Sequence, residues 1–197
     1  TGAATRIGAA IAKSLANFNI KILLHYNKSF VEVKKLKKNL EELGTEVFLI
    51  KADLNKSNET KKIIPYAYKM MKGIDCLINN ASIFENDNIE NFDEKGFDKH
   101  LNINLKSPAL LSKDFFKYIK KNKGIIINII DQRIFKLTPH FLSYTLSKTG
   151  LETLTKVSAM KFAPNIRVNA VAPGPTLKNK RQSEKHFKKQ WQATLLK

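Results

Sequence analysis

The chain alternates short apolar runs with longer segments in which apolar residues recur every three or four positions. Short branched runs predict strands, and the helical period predicts amphipathic helices. Helices are predicted near residues 6–18, 29–43, 57–72, 96–122 and 140–163, and strands at 20–26, 46–51, from 74 onward, at 124–130 and at 167–171. This alternation predicts an α/β fold with a doubly wound parallel sheet in three α/β/α layers. No proline-rich linker or repeat divides the chain, so we expect residues 1–197 to form one domain.

A tyrosine and a lysine on one predicted helix follow a strand that ends in a carboxylate. Asp131 comes directly after an apolar run, which places it where the strands of open α/β sheets meet their ligands. Tyr144 and Lys148 are four residues apart and share one face of the helix. The Thr-Pro pair at 138–139 predicts the start of that helix. We expect Lys148 to lower the pKa of the Tyr144 phenol, which would let it exchange a proton near neutral pH.

The first residues form a glycine-containing loop in front of a predicted helix. Glycines at positions 2 and 8 would let backbone amides at the helix N-terminus approach a pyrophosphate. Sites that select NAD carry a carboxylate about twenty residues further on, where this chain has Asn27, Lys28 and Ser29. Amide, ammonium and hydroxyl groups suit an additional phosphate, so this segment favours NADPH over NADH.

Five motifs together resemble the short-chain dehydrogenase/reductase family in order and spacing. They are Thr-Gly-x-x-x-Arg-Ile-Gly at 1–8, Asn-Asn-Ala-Ser at 79–82, Asn104, Tyr-x-x-x-Lys at 144–148 and Pro-Gly at 173–174. The resemblance covers nearly the whole chain and implies a Rossmann-type fold, a nicotinamide cofactor and a homodimer or homotetramer. It also implies a strand before the glycine loop and another after the last residues, so we expect a fragment that lacks the first strand and the C-terminal end. The segment 181–187 resembles the part of the family that covers the substrate.

Within that family, the chain resembles the pteridine reductases. Arg6 stands where most members have the middle glycine of the loop, the segment 25–29 is similar to the NADPH-selecting segment, and Asp131 replaces the usual catalytic serine. A carboxylate can accept hydrogen bonds from the amino and ring NH groups of a pterin, and a protonated carboxyl can also donate. The resemblance therefore implies hydride transfer from NADPH to a C=N carbon of a dihydropterin, with Tyr144 and Asp131 handling the proton.

The resemblance assigns a role to each matching position. The pyrophosphate loop comprises Thr1, Gly2, Arg6, Ile7 and Gly8, and the 2′-phosphate is held by Asn27, Lys28 and Ser29. Adenine is faced by Asp53 and Leu54, and the ribose and nicotinamide by Asn79, Asn80, Ala81, Lys148, Pro173 and Gly174. Substrate is contacted by Arg6, Ser82, Phe84, Asp131 and Tyr144. The catalytic set is Asp131, Tyr144, Lys148 and Asn104.

Two other functions stay open at this point. One keeps the family and changes the substrate to a carbonyl compound such as a 3-oxoacyl thioester, with Asp131 an incidental variant. The other is a regulator that binds NADPH and performs no chemistry. Intact Tyr144, Lys148 and Asn104 count against the regulator, since a sensor has no need of them.

Charge and composition limit the partners. The net charge of +18 and pI near 9.9 would suit nucleic acid, but only four of the 35 basic residues are arginines, and the lysines are scattered through nearly every helix. We therefore expect a small-molecule substrate and no nucleic-acid partner. No apolar run is long enough to cross a membrane. The single cysteine, Cys76, lies in a predicted buried strand and fits a reducing cytoplasm. The four histidines lack metal-ligand spacing, so no metal is expected.

Overall fold

The computed structural model describes residues 1–119, 122–178 and 183–194. Parallel strands form two adjacent sheets that are flanked by helices. The strands are β1 (Ile22–Tyr26), β2 (Val47–Lys51), β3 (Cys76–Asn79), β4 (Gly124–Ile129) and β5 (Ile166–Val171). The helices are α1 (Arg6–Leu15), α2 (Phe30–Glu41), α3 (Ser57–Thr60), α4 (Ile63–Met71), α5 (Glu94–Leu101), α6 (Ser107–Ile119), α7 (Leu142–Phe162) and α8 (Glu184–Gln192). The predicted α/β class is confirmed.

The first residues join the two sheets. Strand β1 pairs with β2, and β3, β4 and β5 pair in that order, all in parallel. The Thr1 nitrogen donates to the Ile78 oxygen of β3 at 2.7 Å, and the Ala3 nitrogen donates to the His25 oxygen of β1 at 2.9 Å. Residues 1–3 therefore lie between β1 and β3. Open α/β sheets bind ligands at such a switch point, beyond the carboxyl ends of the strands.

Two apolar clusters pack the strands against the helices, and residues of β1 and β2 contribute to both. One cluster includes Leu111, Phe115 and Ile126, and the other includes Leu24 and Val33, and each of these five side chains is at most 1% exposed. The branched residues of β4 pack against helices, as expected for a strand in a parallel sheet. These two clusters hold the strand ends that carry the site.

Cys76 is in the predicted strand, but the prediction that it is buried is wrong. It is the first residue of β3, and its side chain is exposed.

Two predicted helices are interrupted. The helix predicted at 57–72 consists of α3 and α4, and Pro65 lies in the first turn of α4, where its missing N–H breaks no helical bond. The helix predicted at 96–122 consists of α5, a π-helical turn at Asn102–Lys106, and α6. Pro108 likewise lies in the first turn of α6. Single π-helical turns of this kind are frequent at functional sites.

The helix that carries Tyr144 starts later than predicted. It begins at Leu142, so the expected Thr-Pro start at 138–139 is wrong. The Thr138 hydroxyl instead accepts from Arg133 Nη1 at 2.9 Å and donates to the His140 oxygen at 3.2 Å. Tyr144 consequently lies in the first turn of α7.

Candidate active site

The glycine loop packs directly against the segment that follows β3. The Thr1 hydroxyl accepts from the nitrogens of Asn80 and Ala81 at 3.1 and 3.0 Å. The Asn80 side-chain nitrogen donates to the oxygens of Thr1 and Gly2 at 2.9 and 3.0 Å. Gly2 has φ +60°, and a Cβ at Gly8 would lie 2.2 Å from the Gly2 oxygen. Neither position accommodates a side chain, so both glycines are required by the close packing of this loop.

A buried histidine ties the loop to the sheet. His25, on β1, is 3% exposed, and its Nδ1 accepts from the Gly2 nitrogen at 3.0 Å. Its Nε2 lies 3.0 Å from the Ala52 oxygen, to which only a protonated Nε2 can donate. Burial lowers the pKa of His25 to about 4, so the ring is neutral at physiological pH.

Asp131, Tyr144 and Lys148 meet at the carboxyl end of β4. The Tyr144 hydroxyl donates to Asp131 Oδ2 at 2.7 Å, and Asp131 Oδ1 accepts from the Arg133 nitrogen at 2.9 Å. Lys148 Nζ donates to the Ile129 oxygen at 2.7 Å and lies 5.7 Å from the centroid of the Tyr144 ring. Tyr144 and Lys148 are 5% and 2% exposed, whereas Asp131 is half-buried. The three residues therefore form one cluster with its carboxylate nearest to solvent.

The expected effect of Lys148 on Tyr144 is wrong. Burial raises the pKa of Tyr144 above its ordinary value, and the adjacent Asp131 carboxylate, which accepts a hydrogen bond from the phenol, raises it further. Burial also lowers the pKa of Lys148 to about 8, against the opposing attraction of Asp131. The Lys148 ammonium donates to the Ile129 oxygen, and the hydrogen bond of the phenol hydroxyl is with Asp131. Tyr144 is therefore a protonated group, suited to donate a proton rather than to accept one.

Asn104 lies in the π-helical turn and is completely buried. Its Oδ1 accepts from the Ile83 nitrogen and the Ser82 hydroxyl at 2.9 and 3.1 Å, and its Nδ2 donates to the Ile83 oxygen and the Ser147 hydroxyl at 3.0 Å each. Ser147 is the residue before Lys148. Asn104 thus connects the segment after β3 to the helix that carries the cluster.

An aromatic group stands beside Tyr144. The Phe84 and Phe141 rings are stacked, with centroids 4.2 Å apart and planes 5° apart, and the Phe84 and Tyr144 rings are in a T-shaped arrangement with centroids 4.6 Å apart. The Arg133 guanidinium lies 4.5 Å from the Phe141 centroid. Phe141 therefore covers one face of Phe84, and a flat ligand that stacks on that face must displace Phe141.

A cavity of about 640 Å³ lies beyond the ends of β1 and β2 and is lined by Tyr26, Asn27, Lys28, Phe30 and Lys51. Asn27 and Lys28 are predicted site residues, and Ser29 follows them, half-buried, just before α2. Lys51 was missed by the sequence analysis. The register of the sheet, which pairs Tyr26 with Lys51, brings it beside the predicted segment.

Three predicted site residues lie at or shortly after strand ends, and two of them are buried. Asn79 is 2% exposed and donates to Asn128 Oδ1 at 2.8 Å, and Leu54 is 5% exposed in the core. Asp53 is half-buried, and its carboxylate accepts from the Asn55 nitrogen at 3.0 Å. These side chains support the strand ends.

The remaining predicted residues lie around the mouth of the site. Arg6 has a left-handed backbone with φ +51° and donates to the Leu177 oxygen at 3.0 Å, which connects the glycine loop to the segment after β5. Within that segment, the Pro173 oxygen accepts from the Gln132 nitrogen at 3.4 Å, and a Cβ at Gly174 would lie 3.2 Å from Gln132 Oε1. The segment predicted to cover the substrate is 181–187. Residues 181 and 182 lie outside the described residues, and α8 begins at Glu184.

Arg133 and Phe141 also lie beside the cluster, although neither is among the residues predicted from the sequence. Both lie in the connection between β4 and α7, which has no periodic pattern. The sequence contains one indication of Arg133: a cation two residues after Asp131 can contact an aromatic ring or an anion at the same strand end. Within the described ranges, no helix is long and apolar enough to cross a membrane.

Comparisons with known proteins agree with this geometry. The short chain dehydrogenase family model matches residues 1–189. A short-chain dehydrogenase/reductase of Pestalotiopsis microspora is 29% identical over 90% of this chain and 67% of its own length. Human dehydrogenase/reductase SDR family member 4 is 33% identical over 88% of this chain and 63% of its own length. The chain thus spans about two thirds of the length of these relatives.

Solved structures give a closer likeness. FolM alternative dihydrofolate reductase 1 from Brucella canis, complexed with NADP, has a TM-score of 0.94 and 38% identity, covering 100% of this chain and 78% of that chain. A short chain dehydrogenase from Burkholderia cenocepacia, in complex with NADP, has a TM-score of 0.84 and 27% identity, covering 88% of this chain and 71% of that chain. The chain therefore belongs to the short-chain dehydrogenase/reductase family of oxidoreductases.

Proposed function

We propose that this protein is an NADPH-dependent reductase that acts on a C=N bond of a pterin or dihydropterin. The observation that carries the proposal is the hydrogen bond of 2.7 Å from the Tyr144 hydroxyl to the Asp131 carboxylate. This bond connects Tyr144, the tyrosine of the family motif, to Asp131, which occupies the position where most members have a serine. The cluster lies at the end of β4, next to the glycine loop.

The cofactor part of the proposal is supported by the charge and shape of the site. The cavity beyond β1 and β2 contains the side chains of Lys28 and Lys51 and, among the described residues that line it, no carboxylate. Two ammonium groups suit a 2′-phosphate. Gly2 and Gly8 leave the loop free of side chains where a pyrophosphate would approach the start of α1. The NADP in the solved relatives supports the same choice.

When bound, the reduced nicotinamide would supply the hydride, and the protein would supply orientation and the proton. Tyr144 is protonated at neutral pH because burial and Asp131 raise its pKa, so it can donate a proton to the nitrogen of the reduced bond. Asp131 orients that hydroxyl and offers its oxygens to the amino and ring NH groups of a pterin. Lys148 would hold the nicotinamide ribose with its buried ammonium.

The substrate part is supported by the Asp131 position and by the likeness to FolM. A carboxylate that accepts hydrogen bonds matches a heterocycle rich in NH donors better than a simple ketone, which has none. The FolM structure of Brucella canis is described as an alternative dihydrofolate reductase, and dihydrofolate contains a dihydropterin ring. Phe84 and Phe141 add a flat apolar surface beside Tyr144.

The second candidate is reduction of a carbonyl such as a 3-oxoacyl thioester, favoured by relatives that are described only as short-chain dehydrogenases/reductases. The non-catalytic regulator has weaker support, because Tyr144, Lys148 and Asn104 are all present and buried around one site. The homodimer or homotetramer and the cytoplasmic location stay predictions.

The test is a substrate panel with the full-length gene product. NADPH oxidation is followed with dihydrobiopterin, dihydromonapterin, dihydrofolate and acetoacetyl thioester, and NADH replaces NADPH as the cofactor control. Turnover of a pterin with preference for NADPH is expected. Tyr144→Phe should abolish most of it, whereas Tyr118→Phe, on α6 and against Tyr68, should not.

Each other outcome selects a different function. Turnover of the thioester alone would replace the pterin with a carbonyl substrate and leave the Tyr144 chemistry in place. NADPH binding without turnover of any compound would favour the regulator.

A further inference from the structure

The helix that carries Tyr144 and Lys148 begins without a cap of its own. The residue before it is Phe141, which has a left-handed backbone with φ 62° and ψ 46° and no side-chain acceptor. The first bond to the helix is from the Thr145 nitrogen to the Phe141 oxygen, at 2.8 Å. The N–H groups that precede Thr145 have no acceptor within the helix and must find one elsewhere.

Asp87, from the segment that follows β3, supplies acceptors for three of these N–H groups, those of Phe141, Leu142 and Ser143. Its main-chain oxygen accepts from the nitrogens of Phe141 and Leu142 at 2.7 and 3.4 Å. Its carboxylate accepts from the Ser143 nitrogen at 3.2 and 3.3 Å and also from the Ser143 hydroxyl. Ser143 is completely buried and immediately precedes Tyr144. A residue 56 positions away therefore caps the helix of the active site.

The same segment also contacts the catalytic ring. Phe84 stacks on Phe141 and meets the edge of Tyr144, so residues 84–87 hold both the turn before α7 and its first turn. The Tyr144 hydroxyl must reach Asp131, which belongs to a different element, the end of β4. That distance depends on where α7 begins. The carboxylate of Asp87 is the charged group that fixes this start.

We infer that Asp87 is a positioning residue, which caps α7 so that Tyr144 is held against Asp131 and the substrate. The inference rests on the proposed reductase function. A cap also contributes to stability, so the effect on catalysis must be separated from the effect on folding. A small misplacement of a reacting group can reduce a rate about a hundredfold, which makes catalysis the more sensitive readout.

The matched control is another aspartate cap. Asp93 caps α5 by accepting from the Gly96 nitrogen at 2.8 Å, and it has no contact with Tyr144. Asp87→Ala and Asp93→Ala should both lower Tm, because each removes a helix cap. Asp87→Ala should lower kcat at least tenfold with KM and the NADPH Kd within about threefold of wild type, whereas Asp93→Ala should leave kcat within twofold. Asp87→Asn, which keeps an acceptor oxygen, should restore most of the lost kcat.

Hydrogen exchange tests the cap without any substrate. Amides of the first turn of α7 should exchange at least tenfold faster in Asp87→Ala and at the wild-type rate in Asp93→Ala. Wild-type exchange or a kcat within twofold of wild type in Asp87→Ala would overturn the inference. If Asp87→Ala does not fold, Ser143→Ala decides, since it removes only the hydroxyl donor: a kcat loss of about threefold or more is expected, and a wild-type kcat overturns the inference. If wild type turns over no substrate, the proposed function has failed, and the exchange rates still decide whether Asp87 is the cap.

Discussion

His25 makes the stability of the glycine loop sensitive to acid. The ring is 3% exposed, accepts from the Gly2 nitrogen through Nδ1, and donates through Nε2 to the Ala52 oxygen. Protonation would place a hydrogen on Nδ1, directly opposite the Gly2 N–H. The native fold therefore requires the neutral ring, and charging His25 must weaken the attachment of the loop to β1 and β2.

The change in the free energy of unfolding follows from the difference between the pKa of His25 in the unfolded and folded states. The unfolded chain has the ordinary histidine pKa of 6.5, and burial lowers the pKa of His25 in the folded protein to about 4. Between these values the unfolded state binds more protons, so the free energy of unfolding decreases as the pH falls. The decrease is about 1.4 kcal/mol for each pH unit and about 3 kcal/mol over the whole interval. Above pH 6.5 the histidine contributes no pH dependence.

The assay is urea denaturation at several pH values from about 4 to 7.5, for wild type, His25→Gln and His140→Gln. Glutamine offers one donor and one acceptor but does not titrate, so His25→Gln should lose the histidine part of the slope between pH 6.5 and 4. His140 is exposed, and its replacement should leave the slope unchanged. Equal slopes in wild type and His25→Gln would show that His25 does not couple folding to protonation in this pH range.

The other predictions concern the charged groups of the cofactor site. Because burial lowers the pKa of Lys148 to about 8, its ammonium is lost as the pH rises through that value, so kcat/KM for reduction should fall above about pH 8. Lys148→Arg should move this fall to higher pH, and a wild-type profile that stays flat to about pH 10 would contradict the assignment. Lys28→Ala and Lys51→Ala should each raise the NADPH Kd about tenfold by fluorescence titration, with the NADH Kd unchanged. Lys35→Ala, on the exposed face of α2, is the matched control and should change neither, whereas equal losses for both cofactors would exclude contact with the 2′-phosphate.

The fold could be predicted from the sequence because local patterns determine it. The branched run at 124–130 is a strand in a parallel sheet, and the alternation of strands and helices is the one expected for βαβ units. Helix boundaries were less predictable. The apolar period continues from 96 through 119, so the pattern does not reveal that the chain makes a π-helical turn at Asn104 to satisfy four side-chain hydrogen bonds.

The chemistry at Tyr144 could be predicted only in part. The four-residue spacing predicted that Tyr144 and Lys148 share one helical face, and the position of Asp131 at a strand end predicted that it lies beside them. Spacing did not reveal that Lys148 donates to the Ile129 oxygen, or that burial and then Asp131 raise the pKa of the Tyr144 phenol. The cap of α7 could not be predicted either, because Asp87 is 56 residues away from Ser143 in the sequence. The nearby Thr138 suggested a helix start that the structure does not have.

Asp131 is the residue on which the proposed pterin specificity depends, and its contribution is measured as kcat/KM for a dihydropterin in wild type and Asp131→Asn. A hydrogen bond to a charged group is worth about 1.5–3 kcal/mol, so the amide should reduce kcat/KM by about 10- to 150-fold. The NADPH Kd should stay unchanged. A variant that reduces the dihydropterin within about threefold of wild type would contradict the claim, because Asp131 would then contribute too little to determine the substrate.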